Sequence, residues 1–145
     1  MSYFMLFKDR GAFVNGQALK TSQEPFGHMV IALGLPYAKN DTYVRDLGSV
    51  VNIAKECYAI RHCGAIALDL AYVAAGRTDG FFEIGLGPWD TAAGTLLIEE
   101  AGGRVGTLSG GEYTQGGNII AGSPKVYDAL VALCKPHLTD TLREG

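Results

Sequence analysis

Glu83-Ile84-Gly85-Leu86-Gly87-Pro88-Trp89-Asp90-Thr91-Ala92-Ala93-Gly94-Thr95 is the stretch whose reading decides the fold. Pro88-Trp89-Asp90-Thr91 has the make-up of a helix start, with a proline in the first turn and residues whose side chains cap orphan amides. A good helix former follows to Ala101, and Gly102-Gly103 closes it. Upstream, Gly80 to Ile84 reads as a strand. The chain therefore passes from strand to helix through a short glycine-rich turn and sets two carboxylates, Glu83 and Asp90, at that passage.

Outward from this point helix and strand alternate. Ala59 to His62 reads as a strand, Ile66 to Ala75 as a helix capped by Gly76, and Asp41 to Tyr58 as a helix. The apolar positions of that last helix are Val44, Leu47, Val50, Val51, Ala54 and Tyr58. His28 to Leu33 reads as a buried strand ended at Gly34-Leu35-Pro36, with Ser22 to Gly27 a loop before it. Arg104 to Leu108 and Asn118 to Ala121 supply further strands. Pro124 to Cys134 is a helix with proline at its first position. At the N-terminus, Tyr3 to Phe7 and Ala12 to Val14 are strands, and Asn15-Gly16 makes a tight turn into Gln17 to Thr21. The rhythm is α/β, with one domain over residues 1–135 and a frayed tail over 136–145.

Composition narrows the function classes. Across 145 residues, 48% are hydrophobic and 19% charged, with a net charge of -3. Such a chain can bury one ordinary core and offers no electrostatic case for nucleic acid or an anionic membrane. The longest apolar run, Gly64 to Gly76, holds Asp69 and is too short to span a bilayer, and Lys8-Asp9-Arg10 follows the apolar start where a cleavage site would be needed. A cytoplasmic location is expected. Cys57, Cys63 and Cys134 cannot all pair and lack zinc spacing, so they read as reduced, small buried hydrophobes. His28, His62 and His137 carry no partner motif and read as core or surface residues.

Two carboxylates stand out. Asp90, on rigid scaffold, is either a helix cap or a ligand for a hard cation such as magnesium, which is commonly held by one or two carboxylates plus phosphate oxygens. Asp69 lies in a helix that is apolar nearly all round, so it must be buried and partnered, by a backbone amide or an arginine in the structural reading. Gly94, Gly102 and Gly103 have neither Rossmann nor P-loop spacing and read as packing and helix-end glycines.

The ordered set Arg61-His62-Cys63-Gly64-Ala65-Ile66-Ala67-Leu68-Asp69, Asp79-Gly80-Phe81-Phe82-Glu83, Pro88-Trp89-Asp90 and Glu99-Glu100-Ala101-Gly102-Gly103 resembles the inositol monophosphatase family. The resemblance reaches upstream to Gly11-Ala12-Phe13-Val14-Asn15-Gly16 and Gly34-Leu35-Pro36-Tyr37, and downstream to Asn118-Ile119-Ile120-Ala121-Gly122. It covers the C-terminal half of the family's enzyme. It implies a layered α/β sandwich, with the N-terminal hairpin left over from a larger sheet. It also implies a magnesium-dependent phosphomonoesterase acting on inositol monophosphate or a related small polyol or sugar phosphate. Asp90 would then be a metal ligand, Glu83 the acceptor for a substrate hydroxyl, and Gly64, Ala65 and Ile66 the backbone beside the substrate. Where the family usually has Gly followed by Ser or Thr and two alanines, this chain has Gly64-Ala65-Ile66-Ala67.

The family's other metal ligands, an upstream Glu and an Asp-Pro-x-Asp-Gly-Thr segment, have no counterpart in these residues. The one Asp-Gly, Asp79-Gly80, belongs to the turn before a strand. Two readings follow: a phosphatase whose remaining ligands come from an upstream segment or a partner chain, or a non-catalytic module that binds a partner. The open edge of the hairpin and the apolar Ile66 helix imply association, as a homodimer or with a missing N-terminal half.

Overall fold

In the computed structural model, residues 2–25, 27–34, 41–114 and 116–144 are described, with 41–47, 141 and 144 by backbone alone. The chain opens with three antiparallel strands, β1 (Phe4–Phe7), β2 (Gly11–Val14) and β3 (Gln17–Ala18), in that spatial order. Asn15 and Gly16 hold positive φ, 50° and 82°, as a two-residue turn requires, and the turn pairs Val14 with Gln17. The third strand stops at Ala18, short of the expected Thr21. The Thr21 amide instead donates to the Ala101 carbonyl (3.1 Å), so the chain leaves the small sheet to follow a helix end.

A second sheet follows, of β4 (Val30–Leu33), β5 (Ala59–Arg61), β6 (Gly80–Leu86), β7 (Arg104–Gly106) and β8 (Gly117–Gly122), in the order β5-β4-β6-β8-β7. β4 is parallel to β5 and β6, whereas β8 is antiparallel to β6 and β7. Period-two alternation sends its side chains to two separate cores. Ala32, Phe81, Ile119 and Ala121 face one way, against α2 (Ile66–Ala74) and α3 (Pro88–Glu100). Ile31, Leu33, Phe82 and Ile120 face the other, against α1 (Asp41–Glu56) and α4 (Pro124–Cys134). The small sheet packs on the far side of α3, with Ala12 and Leu19 joining the first core. The result is the layered α/β arrangement that the alternation implies.

Sequence-based limits shift where tertiary contacts overrule local signal. β4 begins at Val30 rather than His28, because the Asp79 carboxylate takes the Val30 amide (2.5 Å) and sets the strand's first rung. β6 runs on to Leu86 through an irregularity between Glu83 and Leu86. α1 ends at Glu56, and the inward stripe of its described side chains is Ser49, Val50 and Ile53, continued by Cys57 just past its end, whereas Val51 and Tyr58 are exposed. Val44, Leu47 and the Leu35-Pro36 turn lie outside the described side chains or residues. The frayed tail over 136–145 is corrected: a 3-10 turn, Lys135–His137, leads to α5 (Asp140–Glu144). Leu142 is fully buried and its carbonyl accepts from Asn118 Nδ2 (3.2 Å).

Helices α2 and α3 touch so closely that Gly94 admits no side chain. A Cβ there would lie 2.5 Å from the Leu70 Cβ. Both helices end in a left-handed glycine, Gly76 and Gly102. Arg77 and Gly103 then donate back to Tyr72 (2.9 Å) and Ile98 (2.8 Å), which satisfies carbonyls a helix end would otherwise orphan. Gly94→Ala should gain about 1 kcal/mol of helix propensity but lose about 1–3 kcal/mol to overpacking, so its thermal midpoint should fall by a few degrees. In a double-mutant cycle Leu70→Ala should relieve only the part of the clash made by the Leu70 Cγ and Cδ1, because alanine keeps the Cβ that lies 2.5 Å away, so the coupling energy should stay below the overpacking cost itself.

Candidate active site

The site lies where β4, β5 and β6 end and α2 begins. Glu83 projects from β6 to the α2 side of the sheet and is buried. Its carboxyl lies over Gly34, so closely that a Cβ on that residue would overlap it. Gly34 is held in place by its amide, which donates to the Phe82 carbonyl (3.1 Å). Beyond Glu83, Gly85 donates to Asn118 Oδ1 (3.1 Å), which anchors the irregular stretch of β6 to β8.

After β5 the chain turns through His62, Cys63 and Gly64, the last at φ 71°, into Ala65 at the mouth of α2. The Ala65 carbonyl accepts from the Leu68 and Asp69 amides (3.0 and 2.9 Å). His62 Nδ1 lies 2.8 Å from the Leu33 carbonyl. A carbonyl only accepts, so Nδ1 carries the proton and Nε2 is left for other contacts. Gly34, His62, Gly64, Ala65, Ile66, Asp69 and Glu83 together line a cavity of about 180 Å³. All four residues assigned beside a substrate, Gly64, Ala65, Ile66 and Glu83, thus share one wall system.

Asp90 stands nearby, at the third position of α3. It is not the N-cap: Gly87 is, and its amide donates to Asp90 Oδ2 (3.0 Å) while the Asp90 amide donates back to the Gly87 carbonyl (3.1 Å). The capping role exists but is played from inside the helix. Among the described residues, no group of three or more His, Cys, Asp or Glu side chains comes together to hold a metal ion.

Sequence reasoning missed His62, Gly34 and Asp69 as cavity residues. His62 carries no motif, but it lies two residues before Gly64, and that nearness was the available signal. Asp69 is 3% exposed; its hydrogen-bonding partner is the Cys63 thiol rather than the expected amide or arginine, and among the described residues its Oδ1 meets no donor. Cys63 is exposed rather than a buried hydrophobe, and hydrogen bonding to Asp69 and that residue's charge push its thiol pKa up.

Burial pushes the Glu83 carboxyl up to about 7; the nearby His62 opposes this, and the Asp69 and Asp90 charges add to it. A carboxyl raised in the folded state stabilises the fold below its unfolded pKa, and that contribution is lost as pH rises through about 7. Glu83→Gln should therefore flatten the fall in thermal midpoint between pH 5 and about 7.5, and at pH 8 exceed the parent chain by about 1–2 kcal/mol after solvent screening through the cavity mouth.

Comparison with known proteins places this geometry. The Inositol monophosphatase family model matches residues 2–138. Nus factor SuhB of Escherichia coli K12 is 45% identical over 145 residues, covering 97% of this chain and 53% of the relative. Inositol-1-monophosphatase of Mesorhizobium japonicum is 40% identical over 131 residues, covering 89% and 49%. Among solved structures, extragenic suppressor protein suhB of Bartonella henselae superposes with a TM-score of 0.88 at 39% identity, covering 94% of this chain and 54% of that one. The Thermotoga maritima IMPase gives 0.81 at 31%, covering 94% and 52%. The chain spans about half the length of the relatives it matches. With a family match across nearly all its residues and a fold shared with these structures, the chain belongs to the inositol monophosphatase family.

Proposed function

We propose that this chain carries the polyol-reading wall and one metal ligand of a magnesium-dependent phosphomonoesterase acting on inositol monophosphate or a related small polyol or sugar phosphate. The observation that carries the reading is the shared cavity of Gly64, Ala65, Ile66 and Glu83, with Asp90 near enough for its charge to raise the Glu83 carboxyl. Family membership and the inositol-1-monophosphatase relative support it. The Escherichia coli relative is named Nus factor, so the phosphatase reading leans on the family rather than on that name.

In this reading Glu83 accepts a hydrogen bond from a substrate hydroxyl, and Gly34 leaves the space its carboxyl needs. His62 favours the ionised, accepting form. Ala65 and Ile66 present backbone and an apolar flank, without a side-chain hydroxyl at that point. Magnesium, when bound, would polarise the phosphoryl group and lower the pKa of a water. Asp90 is offered as one of its ligands, and the others are assigned to an upstream segment or a partner chain.

Phosphate release from inositol 1-phosphate with magnesium tests this, using the 145-residue chain alone and supplemented in trans with the N-terminal portion of the Escherichia coli relative. Release is expected in the supplemented sample and should fall to background with Asp90→Asn. No release from a folded, supplemented chain would overturn the reading and leave a partner-binding module.

We also infer association through the small sheet, as a homodimer or with such an N-terminal half. β1 is its edge, and Tyr3, Met5 and Phe7 expose 61%, 42% and 50% of their surfaces along it. Runs of exposed apolar side chains on an unpaired edge favour strand addition or face-to-face packing. Sedimentation should show concentration-dependent association that Met5→Lys with Phe7→Lys abolishes; a monodisperse monomer at all concentrations would count against it.

A further inference from the structure

A cavity of about 190 Å³ opens at the other end of the sheet from Glu83, with Ser22, Gln23, Glu24, Gly102, Ser123 and Lys125 in its lining. Gly122, the residue before Ser123, pairs with Gly80 at the start of β6, about 10 Å from Glu83 at the usual strand rise. The cavity faces the N-terminus of α4. A helix start leaves its first amides without intrahelical acceptors. Pro124 has no N–H, and Tyr127 is the first to donate backward, to the Ser123 carbonyl (2.8 Å); the Lys125 and Val126 amides between them meet no acceptor among the described residues. Ser123, the N-cap, does not serve them. It is 4% exposed, and its hydroxyl makes neither a capping bond nor any other hydrogen bond. That hydroxyl is not among the unpartnered oxygens sealed from solvent, and the surface Ser123 keeps opens on the cavity it lines.

The facing loop keeps its own polar groups occupied. The Ser22 hydroxyl donates to Asp79 and accepts from the Glu24 amide (3.0 Å), and Gln23 Nε2 donates to the Thr21 and Ser22 carbonyls (3.3 and 3.2 Å). The donors of α4 are thus left for something from outside. The first turn of α4 has no acid and carries Lys125, so the positive end of the helix and a full ammonium charge act on the same space. We propose that this cavity binds a phosphate-type oxyanion, as inorganic phosphate or as the head of a phosphomonoester, through the Lys125 and Val126 amides, the Ser123 hydroxyl and the Lys125 ammonium. Backbone amides at a helix start together with a hydroxyl and a cation are the donor set such an anion takes. Glu24, exposed on the opposite wall, is the acid of the lining and holds the affinity down. The cavity shares no residue with that of Glu83, so the proposal stands apart from the phosphatase reading.

The test uses the full chain in chelator-treated buffer at fixed ionic strength and needs no turnover. Inorganic phosphate, methyl phosphate and chloride are titrated in turn, and backbone amide shifts are followed by NMR. The Lys125 and Val126 amides should shift saturably with inorganic phosphate and stay unmoved by chloride. Equal binding of methyl phosphate would assign the site to any phosphoryl head, and its exclusion would assign the site to the free ion. Ser123→Ala should weaken phosphate by about tenfold or more, the loss expected for one hydrogen bond to a charged group. Lys125→Ala should weaken it by about threefold, as suits an exposed charge, and Glu24→Gln should tighten it by a similar factor. In phosphate-free buffer Ser123→Ala should keep the parent's thermal midpoint, because its hydroxyl caps nothing.

Absence of a saturable shift, or saturation confined to amides near Glu83 and Asp90, would overturn the proposal and leave the α4 start to water. Equal phosphate affinity in the parent, Ser123→Ala and Lys125→Ala chains would overturn it too. So would a lower midpoint of Ser123→Ala without phosphate, which would show the hydroxyl to be an ordinary helix cap. Lys125→Ala and Glu24→Gln change exposed side chains, so their opposite effects on affinity decide the matter even where Ser123→Ala does not fold.

Discussion

The close approach of α2 to α3 at Gly94 is the constraint on which the rest of the structure depends. Helix packing at ordinary distances would part the two helix starts, and with them the residues that line the site. Because Gly94 has no side chain, Leu70 nests against the α3 backbone, and the turn before Leu70 is brought over the end of β6. That turn is Gly64 to Asp69. The end of β6 carries Glu83, and the next element to begin is α3 with Asp90. The missing side chain at Gly94 thus lets the start of α2 lie against α3, the helix that follows β6 and Glu83.

Three buried or half-buried acids in this fold are treated in three ways. Asp79 is fully partnered and ties the loop at Ser22 to the first rung of β4, a structural duty. Glu83 is raised toward neutrality by burial, so its charge is in balance near physiological pH. Asp69 bonds to the Cys63 thiol and keeps one oxygen that meets no donor among the described residues. Folding free energy alone favours the first arrangement, since a buried charge without partners costs more than its apolar replacement. The second and third are the places where the fold gives up stability at the cavity.

Much of the layered arrangement was legible in the residues, and the reasons are local. Pro124 and Gly102-Gly103 mark helix ends by backbone chemistry that needs no neighbours, and α4 runs from Pro124 to Cys134 as read. What was not legible depended on distant partners. Nothing near Pro136 announces that Leu142 will fill a gap beside Asn118, although Leu138 and Leu142 are spaced one helical turn apart. The inward face of α1 was misjudged because Val50 and Val51 are equally apolar and only packing against α4 chooses between them. In the site, Gly64, Ala65, Ile66 and Glu83 came from a family pattern, whereas His62, Gly34 and Asp69 emerged only when three strand ends converged.

The last residue of α3 ties the N-terminal hairpin to the site. Glu100 receives the Asp9 and Gly11 amides (2.7 and 2.9 Å), one on each carboxylate oxygen, and so clamps the turn between β1 and β2. Asp90 lies ten residues earlier on the same helix, about 15 Å away along its axis at 1.5 Å per residue. α3 is therefore a rigid rod with the open edge strand fastened to one end and the candidate metal ligand to the other. A strand added to β1 would therefore be held at a fixed distance and angle from Asp90.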